Sequence, residues 1–306
     1  MTKKAKSRTK SKSKAKTKSD SKKKSKAALT KAKPKSRAKA ETRARVGLGL
    51  TALREADTGP LAKITQIAAQ SSIARFNWPG RGVAPIGYIK GMAVVFARVL
   101  CKLQAGDPAA KEMAKANTGN AARDALAHYD EVFRSVGMKN EVSGPDTLRH
   151  LFVLMVGLGM RESSGKFCEG RDRGSRENRT ANRAEAGLFQ TSFDARSASP
   201  LLPKLFDKFS ANPSGFIDIF REGSPRCTPR NLENFGSGPG RDFQKLSKEC
   251  PGFAAEFAAV TLRNLRNHYG PINNRTAKVK PECDAMLIEV QNFVNANPSI
   301  SSVFLR

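Results

Sequence analysis

A glutamate stands at the end of the most apolar stretch of the sequence. Glu162 follows the run from Leu151 to Met160, and this run predicts a helix from Thr147 to about Ser163 that is buried on all sides. At the C-terminal end of a buried helix, the helix dipole and the apolar surroundings both raise the pKa of a carboxyl group. A carboxylic acid that is protonated near neutral pH can protonate the leaving oxygen of a glycosidic bond. Such a position alone more often holds a solvated surface residue.

Two further motifs follow this glutamate along the chain. Gly159–Lys166 contains Arg-Glu-Ser-Ser-Gly, Gly187–Gln190 reads Gly-Leu-Phe-Gln, and Asn234–Gly240 is a glycine-rich loop. This order resembles that of the goose-type lysozymes and bacterial lytic transglycosylases. In that family a Glu at a helix end is followed by Gly-Leu-Met-Gln and then by a Tyr-Asn-x-Gly-x-Gly loop. The resemblance covers about 145–270.

The resemblance implies a peptidoglycan-cleaving muramidase. Its target is the β-1,4 bond between N-acetylmuramic acid and N-acetylglucosamine, with Glu162 as general acid, or as acid and base in a lytic transglycosylase. The positions expected to line the sugar groove are Ser163, Gly187, Gln190, Asn234, Phe235 and Gly236. The loop departs from the family, because either Glu233 or Phe235 occupies the tyrosine position, depending on the register.

The second carboxylate decides between two reactions. An inverting hydrolase needs a base about 6.5–9.5 Å from the acid, and the candidates are Asp172, Glu185 and Asp194. Asp172 could equally form an ordinary salt bridge with Arg171 or Arg173. A lytic transglycosylase needs no second acid, since its glutamate takes the proton of the sugar's own 6-hydroxyl. Both alternatives stay open.

Apolar periodicity predicts the elements that must position these residues. The expected fold is mainly α, with a lysozyme-like catalytic domain. Beside the helix that carries the glutamate, helices are predicted at 87–103, 108–115, 121–136, 200–210, 214–221, 251–268 and 281–296. A Pro/Gly-rich turn at 77–82 holds Trp78 and Arg81, which could stack on a sugar, although a lone Trp there is more often a core anchor.

The N-terminus has a different composition from the rest of the chain. Residues 1–45 hold 20 Lys and Arg against Asp20 and Glu41, with no aromatic residue. Such a segment cannot bury enough apolar surface to fold. We therefore predict a disordered tail at 1–46, a helical extension at 47–140 and the catalytic domain at 141–306.

The basic tail is expected to attract polyanions in a salt-dependent manner. Anionic envelope polymers and nucleic acid both qualify, and a merely solubilising tail is a third interpretation. A second class of function follows, in which an inactive lysozyme-like scaffold binds glycan or nucleic acid through the tail.

Several other features of the sequence bound the location and the cofactors. No apolar stretch follows the basic start as in a signal peptide, yet the enzyme hypothesis implies a bacterial envelope, periplasmic or secreted location. The longest apolar run is too short to span a membrane. The spacing of Cys168, Cys227, Cys250 and Cys283 lacks a metal-binding pattern, so we expect neither metal nor cofactor. These four cysteines form either two disulfides or buried thiols.

Overall fold

The computed structural model describes residues 59–174 and 179–305. The predicted tail at 1–46 lies outside the described residues. The described chain is mainly helical, as predicted, and none of its helices is long and apolar enough to cross a membrane. The α-helices are α1 (Pro60–Gln70), α2 (Ile86–Gln104), α3 (Pro108–Met113), α4 (Ala125–His128), α5 (Asp130–Ser135), α6 (Pro145–Ser163), α7 (Leu201–Ala211), α8 (Ile217–Arg221), α9 (Pro229–Leu232), α10 (Pro239–Glu249), α11 (Pro251–Asn264), α12 (Gly270–Asn273), α13 (Pro281–Ala296) and α14 (Ser301–Phe304).

One hydrophobic core holds these helices together, and α2 runs through it. Nearly every residue of α2 is buried, because the helix contacts α1, α6, α8, α11 and α13. Helices from both sides of residue 140 contribute to this core. A helix that is apolar all round needs such neighbours on every side, and α6 meets the same requirement with α2 and α13.

The two ends of α6 are fixed by local chemistry. Pro145 occupies the first turn, where a missing amide hydrogen is tolerated. At the other end Ser164 and Gly165 adopt positive φ angles, and the Gly165 amide donates to the Gly159 carbonyl at 3.2 Å. A Cβ atom on Gly165 would lie 2.8 Å from the ring of Tyr88 on α2. The glycine therefore permits the close contact that fixes the end of α6, where Glu162 lies.

Some predicted helices are shorter or divided. The predicted helix at 121–136 is two helices, because Asp124 caps α4 through the Leu126 amide and Tyr129 leaves helical geometry before α5 begins. The helix predicted at 214–221 starts only at Ile217, since Phe216 has a φ of 58°. The one predicted at 251–268 ends at Asn264, where the Leu265 backbone turns away from helical angles.

A small β-hairpin precedes α2 and was not predicted. Strands β1 (Asn77–Trp78) and β2 (Gly82–Val83) pair antiparallel across the Pro/Gly-rich turn. Trp78 is only 2% exposed and contacts Phe76 edge to face, so its ring is a core anchor and is not free to stack on a sugar. Arg81, in the turn itself, is exposed.

Candidate active site

A cleft of about 510 Å³ opens at the C-terminal end of α6. Its lining comes from the hairpin turn, the end of α6, the segment that follows it, the Gly-Leu-Phe-Gln motif and α9. The lining residues are Arg81, Glu162, Ser163, Ser164, Glu169, Gly170, Arg171, Asp172, Gln190, Arg230 and Asn231. The structure thus brings Glu162, Ser163, Asp172 and Gln190 of the sequence-predicted site into one cleft.

Glu162 is a neutral acid at physiological pH. Burial raises its pKa, and the negative charge of Glu185 raises it further, while the positive charges of Arg81 and Arg161 lower it. The net result is a pKa of about 8 instead of 4.5. Desolvation dominates because the ionised form loses its hydration in the cleft floor. The side chain therefore holds a proton that it can donate at pH 7.

This shift makes a prediction about stability. The pKa of Glu162 is higher in the folded protein, about 8, than the ordinary 4.5 expected of the unfolded chain. The stability contributed by its proton is therefore fully present below the unfolded pKa and is lost as the pH rises through the folded pKa. Glu162→Gln lacks this titration and should avoid the loss. The melting temperature of the variant minus that of the wild type should therefore increase as the pH rises from about 5 to about 9.

Glu249→Gln provides the control for that measurement. Glu249 is an exposed carboxylate at the end of α10. Thermal melts of the three proteins across the pH range should show a widening difference for the Glu162 variant only. Parallel curves for Glu162→Gln and the wild type would contradict the raised pKa.

The Gly-Leu-Phe-Gln motif is tied directly to the end of α6. The Ser163 hydroxyl donates to the Leu188 carbonyl at 2.8 Å. The Gly187 amide donates to the Glu169 carbonyl at 2.8 Å, and the Gln190 side-chain amide donates to the Gly187 carbonyl at 3.0 Å. Gly187 has a φ of 76°, and a Cβ there would lie 2.7 Å from the Ser247 carbonyl. Ser163 and Gly187 thus hold this wall in place, and Gln190 faces the cleft.

The glycine-rich loop does not line the cleft, but it contacts a residue that does. The buried Gln244 accepts from the Phe235 amide at 2.9 Å and donates to the Ala181 carbonyl at 3.1 Å. The Arg171 guanidinium lies 3.8 Å from the centre of the Phe235 ring. Phe235 therefore positions a cleft residue without lining the cleft itself. Gly236, at a φ of 75°, lies against Ala181, and Asn234 lines a separate cavity.

The three candidate second carboxylates lie in different places. Asp172 lines the cleft, is exposed, and accepts from the Gly174 amide at 2.8 Å. Glu185 is near enough to raise the pKa of Glu162. Asp194 is exposed, 3.4 Å from Arg196 and 3.8 Å from Arg183, and is not a lining residue. Of the three, Asp172 alone lines the cleft with Glu162, Glu185 affects Glu162 through its charge, and Asp194 belongs to a surface ion-pair cluster.

Sequence reasoning missed a buried tyrosine that interacts electrostatically with Glu162. Tyr269 follows α11, and its hydroxyl lies 3.1 Å from the Thr191 Oγ1. Burial raises its pKa, and the carboxylates of Glu162 and Glu185 add to the effect. This phenol stays neutral, beside the motif that follows Glu162. Tyr269 stands more than 100 residues after Glu162, so no local sequence pattern links the two.

Arg230 and Asn231 were missed as well, and a disulfide explains how they reach the cleft. Cys168 and Cys227 are bonded, whereas Cys101, Cys250 and Cys283 are buried thiols. The bond joins the segment after α6 to the segment before α9. Asn231 strengthens that junction, because it accepts from Lys166 at 2.7 Å and donates to Glu169 at 3.2 Å. Both predicted alternatives for the four cysteines, two disulfides or buried thiols throughout, are therefore wrong, since one pair is bonded and the other two cysteines are thiols.

The site therefore combines a protonated glutamate, nearby carboxylates and arginines in a cleft held by a disulfide. No protein-family model, curated protein or solved structure is significantly similar to this chain.

Proposed function

We propose that this protein is a muramidase with a lysozyme-like catalytic fold, which cleaves peptidoglycan at the bond between N-acetylmuramic acid and N-acetylglucosamine. The observation that carries the proposal is Glu162, a carboxyl group with a pKa of about 8 in an open cleft. The substrate class is inferred from the family resemblance, which the order of the three sequence motifs carries.

The chemistry begins with one proton transfer. Glu162 gives its proton to the glycosidic oxygen as the bond from that oxygen to C1 breaks. In a hydrolase, a second carboxylate then takes a proton from water as the water oxygen bonds to C1, and Asp172 is the candidate that lines the cleft. In a transglycosylase, the ionised Glu162 takes the proton of the 6-hydroxyl, whose oxygen bonds to C1 and closes an anhydro ring.

Product analysis tests the proposal and separates these two reactions. Purified full-length protein is incubated with peptidoglycan sacculi, and the soluble fragments are identified by mass spectrometry. Reducing ends indicate hydrolysis, and 1,6-anhydro ends indicate transglycosylation. Release of fragments by the wild type and none by Glu162→Gln supports the proposal. An inert wild type over a broad pH range would contradict it and would favour a scaffold that only binds.

Glu185 offers a test of the electrostatics of the site. Its negative charge raises the pKa of Glu162, so Glu185→Gln should lower that pKa. Cleavage requires protonated Glu162, and its alkaline limb should therefore move to lower pH in the variant. Asp194→Asn serves as the control, since Asp194 is not among the charges that shift the pKa of Glu162. A pH–rate profile that does not move in Glu185→Gln would contradict this role.

A further inference from the structure

Two arginines in the cleft form no ion pair with a carboxylate among the described residues. Arg81 belongs to the hairpin turn and Arg230 to α9, and both are exposed. Within residues 59–174 and 179–305, no carboxylate lies within 4.0 Å of either guanidinium. Arg81 donates one long hydrogen bond, of 3.4 Å, to the Ser164 hydroxyl. These groups are therefore accessible to a ligand in the cleft.

The third lining arginine is different. Arg171 stacks on Phe235 and lies 3.8 Å from Glu233. Glu233 also pairs with Arg173 at 2.7 Å. The guanidinium of Arg171 is thus held by the protein's own aromatic and acidic groups. Among the described residues, neither Arg81 nor Arg230 has such an aromatic or acidic partner.

The charges of the lining leave a positive excess. Glu162 is neutral below its pKa of about 8. Outside the lining, Lys166 lies 3.4 Å from Glu169, and Glu233 pairs with both Arg171 and Arg173. The lining then holds three arginines against the two carboxylates of Glu169 and Asp172, a net charge of +1. An uncharged glycan would leave this excess unbalanced, whereas a glycan with acidic substituents would neutralise it.

We infer that Arg81 and Arg230 bind carboxylates carried by the substituents of the glycan, and so select peptide-bearing peptidoglycan over uncharged β-1,4 glycans such as chitin. The inference rests on the proposed function for the identity of the glycan. An exposed guanidinium suits this task because its planar fork matches a carboxylate with two hydrogen bonds. Two sources of the carboxylate share this chemistry: the stem peptide, or the lactyl group of muramic acid once the peptide is removed.

Binding at Arg81 would also act on the catalytic proton. The positive charge of Arg81 lowers the pKa of Glu162. A substrate carboxylate on that guanidinium would offset the charge, so Glu162 would hold its proton to higher pH in the complex than in the free protein. The recognition of an acidic substituent would thereby keep the general acid in its active form.

Affinity measurements test the inference without depending on cleavage. Full-length Glu162→Gln, alone and combined with Arg81→Gln or Arg230→Gln, is titrated by calorimetry with three tetrasaccharides at one salt concentration. These are a peptide-bearing muropeptide, the same glycan stripped of peptide, and chitotetraose. Arg221→Gln is the matched control, because Arg221 is exposed on α8, outside the cleft. We expect Kd for the peptide-bearing ligand to rise about tenfold with each cleft substitution, and Kd for chitotetraose to stay unchanged.

Each outcome assigns or rejects the contact. If the arginine dependence disappears with the stripped glycan, the stem peptide supplies the carboxylate, and if it persists, the lactyl group does. The inference is wrong if both cleft variants bind the muropeptide as tightly as the Arg221 control does. It is equally wrong if they weaken chitotetraose to the same extent, because the arginines then contact the sugar itself. Failure of the proposed function would appear separately, as a wild type that releases no fragments from sacculi.

Discussion

Replacement of Glu162 by Gln is expected to lower kcat for the release of soluble muropeptides by about a thousandfold. The amide has nearly the same volume and can still form hydrogen bonds, but it has no acidic proton to give to the glycosidic oxygen. The loss should fall on kcat more than on KM, since the proton transfer occurs in the transition state. Fragments separated by chromatography give both constants.

Asp194→Asn provides the matched comparison for this loss. It is also a carboxylate-to-amide change close to the Gly-Leu-Phe-Gln motif, but its side chain lies among Arg183 and Arg196 at the surface. We expect its kcat to stay within about twofold of the wild type, as is usual for an exposed position. A Glu162→Gln protein that kept a tenth of the wild-type rate would show that another group supplies the proton.

Loss of the disulfide between Cys168 and Cys227 is expected to produce the largest change in stability. The bond closes a loop of 59 residues, which corresponds to about 4 kcal/mol in the loop-entropy account. For a protein of this size, that equals a drop of roughly 10 °C in melting temperature. The double variant Cys168→Ser/Cys227→Ser should melt lower than the oxidised wild type. On heating, the double variant should lose cleavage activity before the rest of the fold melts, because the bond joins two segments of the cleft wall.

Reduction with dithiothreitol gives the control for the disulfide. It should lower the melting temperature of the wild type but leave that of the double variant unchanged, since the remaining cysteines are thiols. Equal melting temperatures for the oxidised wild type and the double variant would contradict a stabilising role.

The parts of the site that local pattern determines could be predicted from the sequence. The apolar run before Glu162 defined α6 to within two residues at its start, and the helix end placed the glutamate next to an apolar core. The shift of its pKa follows from that position. Gln190 also reaches the cleft, since Ser163 and Leu188 join the two motifs by a short hydrogen bond.

Contacts between distant segments could not be predicted in this way. Arg81 reaches the cleft from a hairpin 81 residues before Glu162, and Arg230 reaches it through a disulfide whose pairing the cysteine spacing leaves open. Asp194 follows Gln190 closely along the chain, but it lies in the short 3-10 helix from Phe193 to Ala198, and its carboxylate pairs with a surface arginine. Sequence neighbourhood does not fix the direction of a side chain in a short irregular segment.

The packing of α13 has a consequence for how the protein is made. This helix follows α1, α2 and α6 in the chain, yet it contacts all three. During synthesis the earlier helices leave the ribosome with part of their apolar surface uncovered until α13 has been translated. Contacts of such high sequence separation slow folding. The packing around α6 is therefore complete only once α13 has left the ribosome, and a chain stalled before residue 281 would lack the contacts that α13 makes with α1, α2 and α6.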